Sequence, residues 1–207
     1  MLSSWDDYPI HQTSFPVAHP VTNDPGRYDR YWFTAIDIDA TTQVGVGLCV
    51  YPNRMIIDAA VSVMRNGQQD SVFASGPLHV DRPTKVGPIE IHVVEPMRIL
   101  RITLDDTEGI SADLTFKANT AVLEDGYMLR TSGPTLISER TRTLQFGTFT
   151  GCFTHRGDRV EVTPERWLGL RDRSWGTRTT GTVAESSMAA RDHSIYFAWA
   201  LLNFPGE

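Results

Sequence analysis

Residues 110–117 read ISADLTFK, with Ile110, Ala112, Leu114 and Phe116 alternating with Ser111, Asp113, Thr115 and Lys117. A period of two puts the apolar side chains on one face of an extended chain and the polar ones on the other. That is the pattern of a half-buried strand in an antiparallel sheet. Outward from it, ILRITL (99–104) sets Leu100, Ile102 and Leu104 against Arg101 and Thr103. PIEIHVV (88–94) sets Ile89, Ile91 and Val93 against Glu90 and His92. Turn signals fall between such runs at hairpin spacing. YPNR (51–54) separates VGVGLCV from MIIDAAVSV, DDTEG (105–109) follows ILRITL, and RGD (156–158) separates FTGCFTH from RVEVT. Asn66-Gly67 favours a type I′ turn. Many short strands joined by tight turns predict an all-β, antiparallel, up-and-down barrel or sandwich with little helix.

Helix signals are confined to TPERWLG (163–169), where Thr163 is placed to cap, Pro164 to start and Glu165 to follow in one short helical turn. Residues 1–27 hold four prolines and no alternation. They read as an extended arm laid over the sheet and anchored by Trp5, Tyr8 and Phe15. Residues 179–192 are small and polar and read as an exposed loop. SIYFAWALLNF (194–204) reads as an apolar strand, followed by PGE at the end of the sequence. A strand so apolar needs partners, so it either pairs back onto the first sheet or belongs to a longer protein.

A net charge of -6 over 207 residues, with no basic run longer than two, argues against nucleic acid and against an anionic membrane surface as partners. No apolar run reaches the length of a membrane helix, and the N-terminus has no secretory pattern. Cytoplasmic residence follows as the default. Cys49 and Cys152 read as buried free thiols in a reducing compartment; a disulfide between them is the alternative. The sequence holds no GxGxxG, P-loop, GxSxG, HExxH or CxxC, and its six histidines show no metal-binding spacing. No metal or organic cofactor is expected.

Two stretches concentrate chemistry. YDRYWFTAIDID (28–39) gathers Tyr28, Tyr31, Trp32 and Phe33. It forms either the wall of an apolar ligand cavity or an aromatic plug in the core. RWLGLRDRSWGTR (166–178) surrounds Asp172 with Arg166, Arg171, Arg173 and Arg178 and with Trp167 and Trp175. Strand alternation points Asp172 away from Arg171 and Arg173 and onto a face with Leu170, Ser174 and Gly176. Burial there raises a carboxyl's pKa and suits it to donate a proton. The competing reading makes Asp172 a structural residue, accepting backbone N–H groups or pairing with Arg178 to lock a turn before Trp175-Gly176.

DDYPIHQTSFPVAHP, YDRYWFTAIDID, LCVYPN and RDRSWGTR, in that order, resemble an uncharacterised actinobacterial branch of the AttH-like and carotenoid 1,2-hydratase (hydroxyneurosporene synthase) superfamily. Its signature is D-x-[SN]-W-G, and the resemblance runs from Asp6 to Trp199. It implies two successive lipocalin-like (calycin-type) β-barrels or sandwiches. On that pattern residues 1–27 are the arm and 28–162 the first β domain. Residues 163–207 are then a junction motif and the start of a second similar barrel. Relatives include hydratases and cyclases acting on polyprenoid or polyketide chains in apolar pockets without cofactors. The resemblance therefore implies a hydratase, isomerase or cyclase for an apolar isoprenoid, steroid-like or polyketide molecule. Asp172, the motif aspartate, would be the catalytic acid, with Tyr31, Trp32, Trp175 and Arg178 binding the ligand. Arg171, Arg173, Ser174 and Gly176 complete the motif structurally. The alternative is a noncatalytic binding protein or accessory domain for hydrophobic metabolites. No oligomeric state follows from any of this.

Overall fold

The structure, a computed structural model, describes residues 2–178. Twelve strands account for most of them: β1 (Arg27–Asp37), β2 (Thr42–Tyr51), β3 (Ile56–Arg65), β4 (Gln68–Pro77), β5 (Lys85–Val86), β6 (Ile89–Glu95), β7 (Ile99–Thr107), β8 (Ile110–Ala118), β9 (Leu123–Ser132), β10 (Thr135–His155), β11 (Asp158–Val162) and β12 (Trp167–Arg178). Short 3₁₀ turns at Ser4–Asp7 and Pro52–Arg54 are the helical elements among the described residues. Thr163 accepts from the N–H groups of Arg166 and Trp167, so the predicted helical turn is a single hydrogen-bonded turn leading directly into β12.

All strands pair antiparallel in the order β4-β3-β2-β1-β12-β10-β8-β7-β6-β5, with β9 and β11 flanking the long β10. The hairpins expected at Asn66-Gly67, Glu108-Gly109 and Arg156-Gly157 each carry two successive residues with positive φ, as type I′ turns demand. The two ends of the sheet approach each other. A Cβ on Gly76 would lie 3.4 Å from Val86, and one on Gly87 would lie 3.1 Å from the Ala74 Cβ. Asp70 of β4 also binds His155 and Arg156 at the β10–β11 turn. The result is a nearly closed, lipocalin-like barrel.

The predicted alternation holds in β8: Ile110, Ala112, Leu114 and Phe116 are buried while Asp113 and Lys117 are exposed. The interior is filled rather than hollow at the level of Phe33, Phe116 and Phe149, whose rings meet at centroid distances of 5.4–6.4 Å. Phe153 against Trp167 continues the packing. For Phe33 the plug reading therefore stands and the cavity reading falls. The arm is fastened differently from expectation. Trp5, Tyr8 and Phe15 are 42–60% exposed. The arm is held instead through polar groups: Ser4 N–H and the Trp5 indole donate to Asp81, and Arg82, Asn53 and Arg54 donate to arm carbonyls. Cys49 and Cys152 are free thiols. No helix among the described residues is long and apolar enough to cross a membrane. The apolar strand predicted at 194–204 and the loop before it lie outside the described residues; of the expected second domain (163–207) only 163–178 are described, and β12 among them is a strand of the first sheet.

Candidate functional site

RWLGLRDRSWGTR lies in the middle of the sheet. Its strand, β12, pairs with β1 on one side, Asp172 opposite Trp32, and with β10 on the other, Asp172 opposite Leu144. The turn expected at Trp175-Gly176 is absent; the strand runs on to Arg178. Gly176 is required there by close approach, since a Cβ would stand 2.0 Å from the Glu139 carbonyl oxygen. Directly opposed residues share a face, so this register sorts the predicted site residues into two groups. Tyr31, Arg171, Arg173 and Trp175 join Phe33 on the inner face. Trp32, Asp172, Ser174 and Arg178 lie on the outer face with Arg30.

On the outer face β1–β4 form an open groove of about 520 Å³. Trp32 makes its floor, lying over Gly45 and Gly47, where Cβ atoms would come within 3.2–3.7 Å of the indole. Its indole N–H donates to Thr34 Oγ1 at 3.0 Å, which fixes the ring. Ala60 and the 78% exposed Phe73 extend the apolar wall. Polar groups gather at one end: Tyr51, Cys49, Asp58 and Arg178. Arg178 donates to the Tyr51 hydroxyl at 2.9 Å and stands 4.5 Å above the Tyr28 ring. Burial pushes the Tyr51 phenol up to about 12 and the Cys49 thiol up to about 11. Burial also raises the Asp58 carboxyl, against the opposing charge of Arg178, which forms no ion pair with it.

Asp172 stands behind this groove. It is 2% exposed and touches Arg30, whose Nη2 is 3.5 Å from Oδ2. Its Oδ1 has no hydrogen-bond partner, and among the described residues no backbone N–H reaches it. Burial raises its pKa over the lowering pull of Arg30, Arg142 and Arg140. Arg30 lines the groove; Asp172 does not. Neither Arg171, Arg173 nor Arg178 pairs with it.

On the inner face Arg173 pairs with Asp29 and lies 4.3 Å above the Tyr31 ring, and burial pulls its pKa down to about 10. Arg171 is buried and bonds Gln145. No cluster of three or more metal-ligating side chains occurs among the described residues.

Sequence reading missed Asp58, Tyr51, Phe73 and the glycines under Trp32. A signal for Asp58 was present: it is the one charged residue in MIIDAAVSV and alternates onto the polar face there. Nothing in the sequence shows that this outer face is partly covered.

A family described as a family of unknown function (DUF8625) matches residues 2–207. No curated protein matches the chain. The fold is similar to that of kievitone hydratase from Nectria haematococca, at 14% identity and a TM-score of 0.49, covering 87% of this chain and 56% of that one. It is also similar to CghA, solved with Sch210972 (TM-score 0.45, 14% identity, 73% and 46% covered) and without it (0.46, 14%, 80% and 53%). The chain thus spans about half the length of these proteins.

Proposed function

The chain belongs to this family of unknown function, DUF8625, and since that kinship supplies no activity, we propose from the groove's own chemistry that it binds an apolar small molecule and acts on it by proton donation. The observation that carries this reading is a carboxyl, Asp58, kept toward its protonated form in the wall of a largely apolar groove. A carboxylic acid so placed protonates an alkene or a leaving hydroxyl. For hydration, Asp58 gives its proton to one alkene carbon, water adds to the other, and the proton that water loses returns to the Asp58 carboxylate. The reverse sequence is dehydration. Trp32 offers its π face to the transient cation, worth about 0.5–2 kcal/mol. Arg178 and Tyr51 are placed to hold a ligand oxygen.

In this reading Asp58 touches the ligand and Asp172 positions Arg30. A direct catalytic role for Asp172, the sequence-based expectation, requires Arg30 to swing aside. The finer kinship belongs to the same proposal: the AttH-like and carotenoid 1,2-hydratase superfamily, an actinobacterial branch, two lipocalin-like domains and a cytoplasmic site of action. The near-closed barrel supports its lipocalin-like element and the D-x-S-W-G strand its superfamily element. The isoprenoid, steroid-like or polyketide nature of the ligand likewise rests on the apolar groove.

The test is oxygen exchange. Apolar tertiary alcohols and alkenes are incubated with the protein in H₂¹⁸O and followed by mass spectrometry, with binding read by titration calorimetry. Wild type is expected to exchange oxygen, and Asp58→Asn to bind but not exchange. Exchange that survives in Asp58→Asn sinks the assignment. Binding without exchange in wild type favours the noncatalytic binding protein, a reading for which the near-complete burial of Asp172 also speaks.

A further inference from the structure

The inner face of β12 changes character along its length. Trp167 is 3% exposed and packed on Phe153, whereas Arg171 is 8% exposed and the Arg173 side chain 21%. Trp175 beyond them is half-buried. The barrel interior is therefore apolar toward the Trp167 end and becomes polar and more exposed toward the Trp175 end. Arg171 sits at the boundary, and its position is unusual for a charge.

Buried arginines are ordinarily paired with carboxylates, because an unpaired charge in a dry site is costly. Among the described residues Arg171 has no carboxylate partner. Its Nη1 donates to Gln145 Oε1 at 3.2 Å, and its Nε is buried with no partner at all. Gln145 cannot turn to offer more, since its amide nitrogen is held by the carbonyls of Met97 (2.7 Å) and Thr120 (3.2 Å). That clamp fixes Oε1 toward Arg171 and leaves the Nε–Nη2 edge without hydrogen bonds among the described residues. This edge is the one a guanidinium uses for two parallel bonds to a carboxylate. Tyr31 lies alongside, its ring 6.0 Å from the Arg171 guanidinium carbon, and its hydroxyl makes no hydrogen bond among the described residues. The neighbouring Arg173 is not available in the same way, since Asp29 already neutralises it.

We propose that the polar end of the barrel interior is an organic-anion site, in which the Nε–Nη2 edge of Arg171 and the Tyr31 hydroxyl take the carboxylate of a molecule whose body is apolar. The apolar preference comes from the surroundings: Phe33 stacked on Tyr31 at 6.3 Å, and Trp175 at the rim. The site is on the opposite face of the sheet from the Trp32 groove, so its failure would leave the groove reading untouched.

Benzoate serves as the probe, with chloride at equal ionic strength as the control, in thermal unfolding and titration calorimetry on the full chain. Wild type should show a saturable rise in Tm of a few degrees with benzoate and none with chloride. Arg171→Met should keep or raise the Tm of the free protein, since it removes an unpaired buried charge at similar volume, and should lose benzoate affinity by about tenfold or more. Tyr31→Phe keeps the ring and should weaken benzoate severalfold, giving a second reading should Arg171→Met fold poorly. The proposal is overturned by a benzoate response equal in wild type and both variants, by its absence from wild type, or by a lowered Tm in Arg171→Met together with unchanged affinity in Tyr31→Phe.

Discussion

Asp172 and Asp58 occupy the same outer face, and burial raises the pKa of both, yet only Asp58 reaches the groove. Alternation in RDRSWG was enough to part Asp172 from its flanking arginines. It gave no hint that Arg30, 142 residues away in sequence, would be the partner. The raised pKa has a consequence for stability. A carboxyl whose folded pKa lies above its unfolded value of 3.8 favours the fold fully only below that value, and the contribution is lost as pH rises through the folded pKa. At neutral pH the ionised Asp172 is thus a burden, and Asn, neutral and of the same shape, relieves it. Asp172→Asn is expected to be more stable than wild type by about 1 kcal/mol at pH 7. The advantage should fade toward pH 4 in urea denaturation at the two pH values. A clear loss of stability at pH 7 would show that the Arg30 contact outweighs desolvation.

At the scale of elements, the strands and their turns were legible because period two and the Asn-Gly and Arg-Gly-Asp signals are local physics. What holds distant elements together was not. Arg156 was readable as a turn residue; that it binds Asp70 through Nε at 2.6 Å and Nη2 at 3.1 Å, with His155 adding a third contact at 2.8 Å, was not. This cluster ties β4 to the β10–β11 turn and helps close the barrel. Hydrogen bonds from Arg156, then from His155, pull the Asp70 carboxyl down to about 2. A lowered carboxyl pKa contributes stability that is present above the unfolded value of 3.8 and is lost as pH falls toward 2. Asp70→Asn should therefore lower Tm at pH 7, with the difference from wild type vanishing near pH 2. It should also speed amide exchange along β4. Equal exchange in β4 would mean that the β4–β5 approach closes the barrel unaided.

For the molecule as a whole, the aromatic cluster joins β1, β8 and β10 through Phe33, Phe116 and Phe149. Gly169 of β12 leaves room for it: a Cβ there would lie 2.7 Å from the Phe149 ring. Phe149→Ala should cost about 3–5 kcal/mol, read from urea denaturation, because the void opens among strands that cannot collapse together. A cost below about 1 kcal/mol would show the barrel interior to be looser than its packing implies. The sequence by itself determined the all-β class, the antiparallel hairpins and the grouping of Asp172 with Leu170 and Ser174 away from Arg171 and Arg173. These follow from side-chain alternation and turn chemistry, which act over a few residues. Only the tertiary structure decided that β12 runs between β1 and β10 and that the face carrying Trp32 and Asp172 is the outer one. It alone revealed that Asp58 and Tyr51 join Arg178 at a groove and that Arg171 lacks a carboxylate among the described residues. The reason is that strand order and cross-sheet register bring together residues far apart in the chain, and no local periodicity encodes which of them meet.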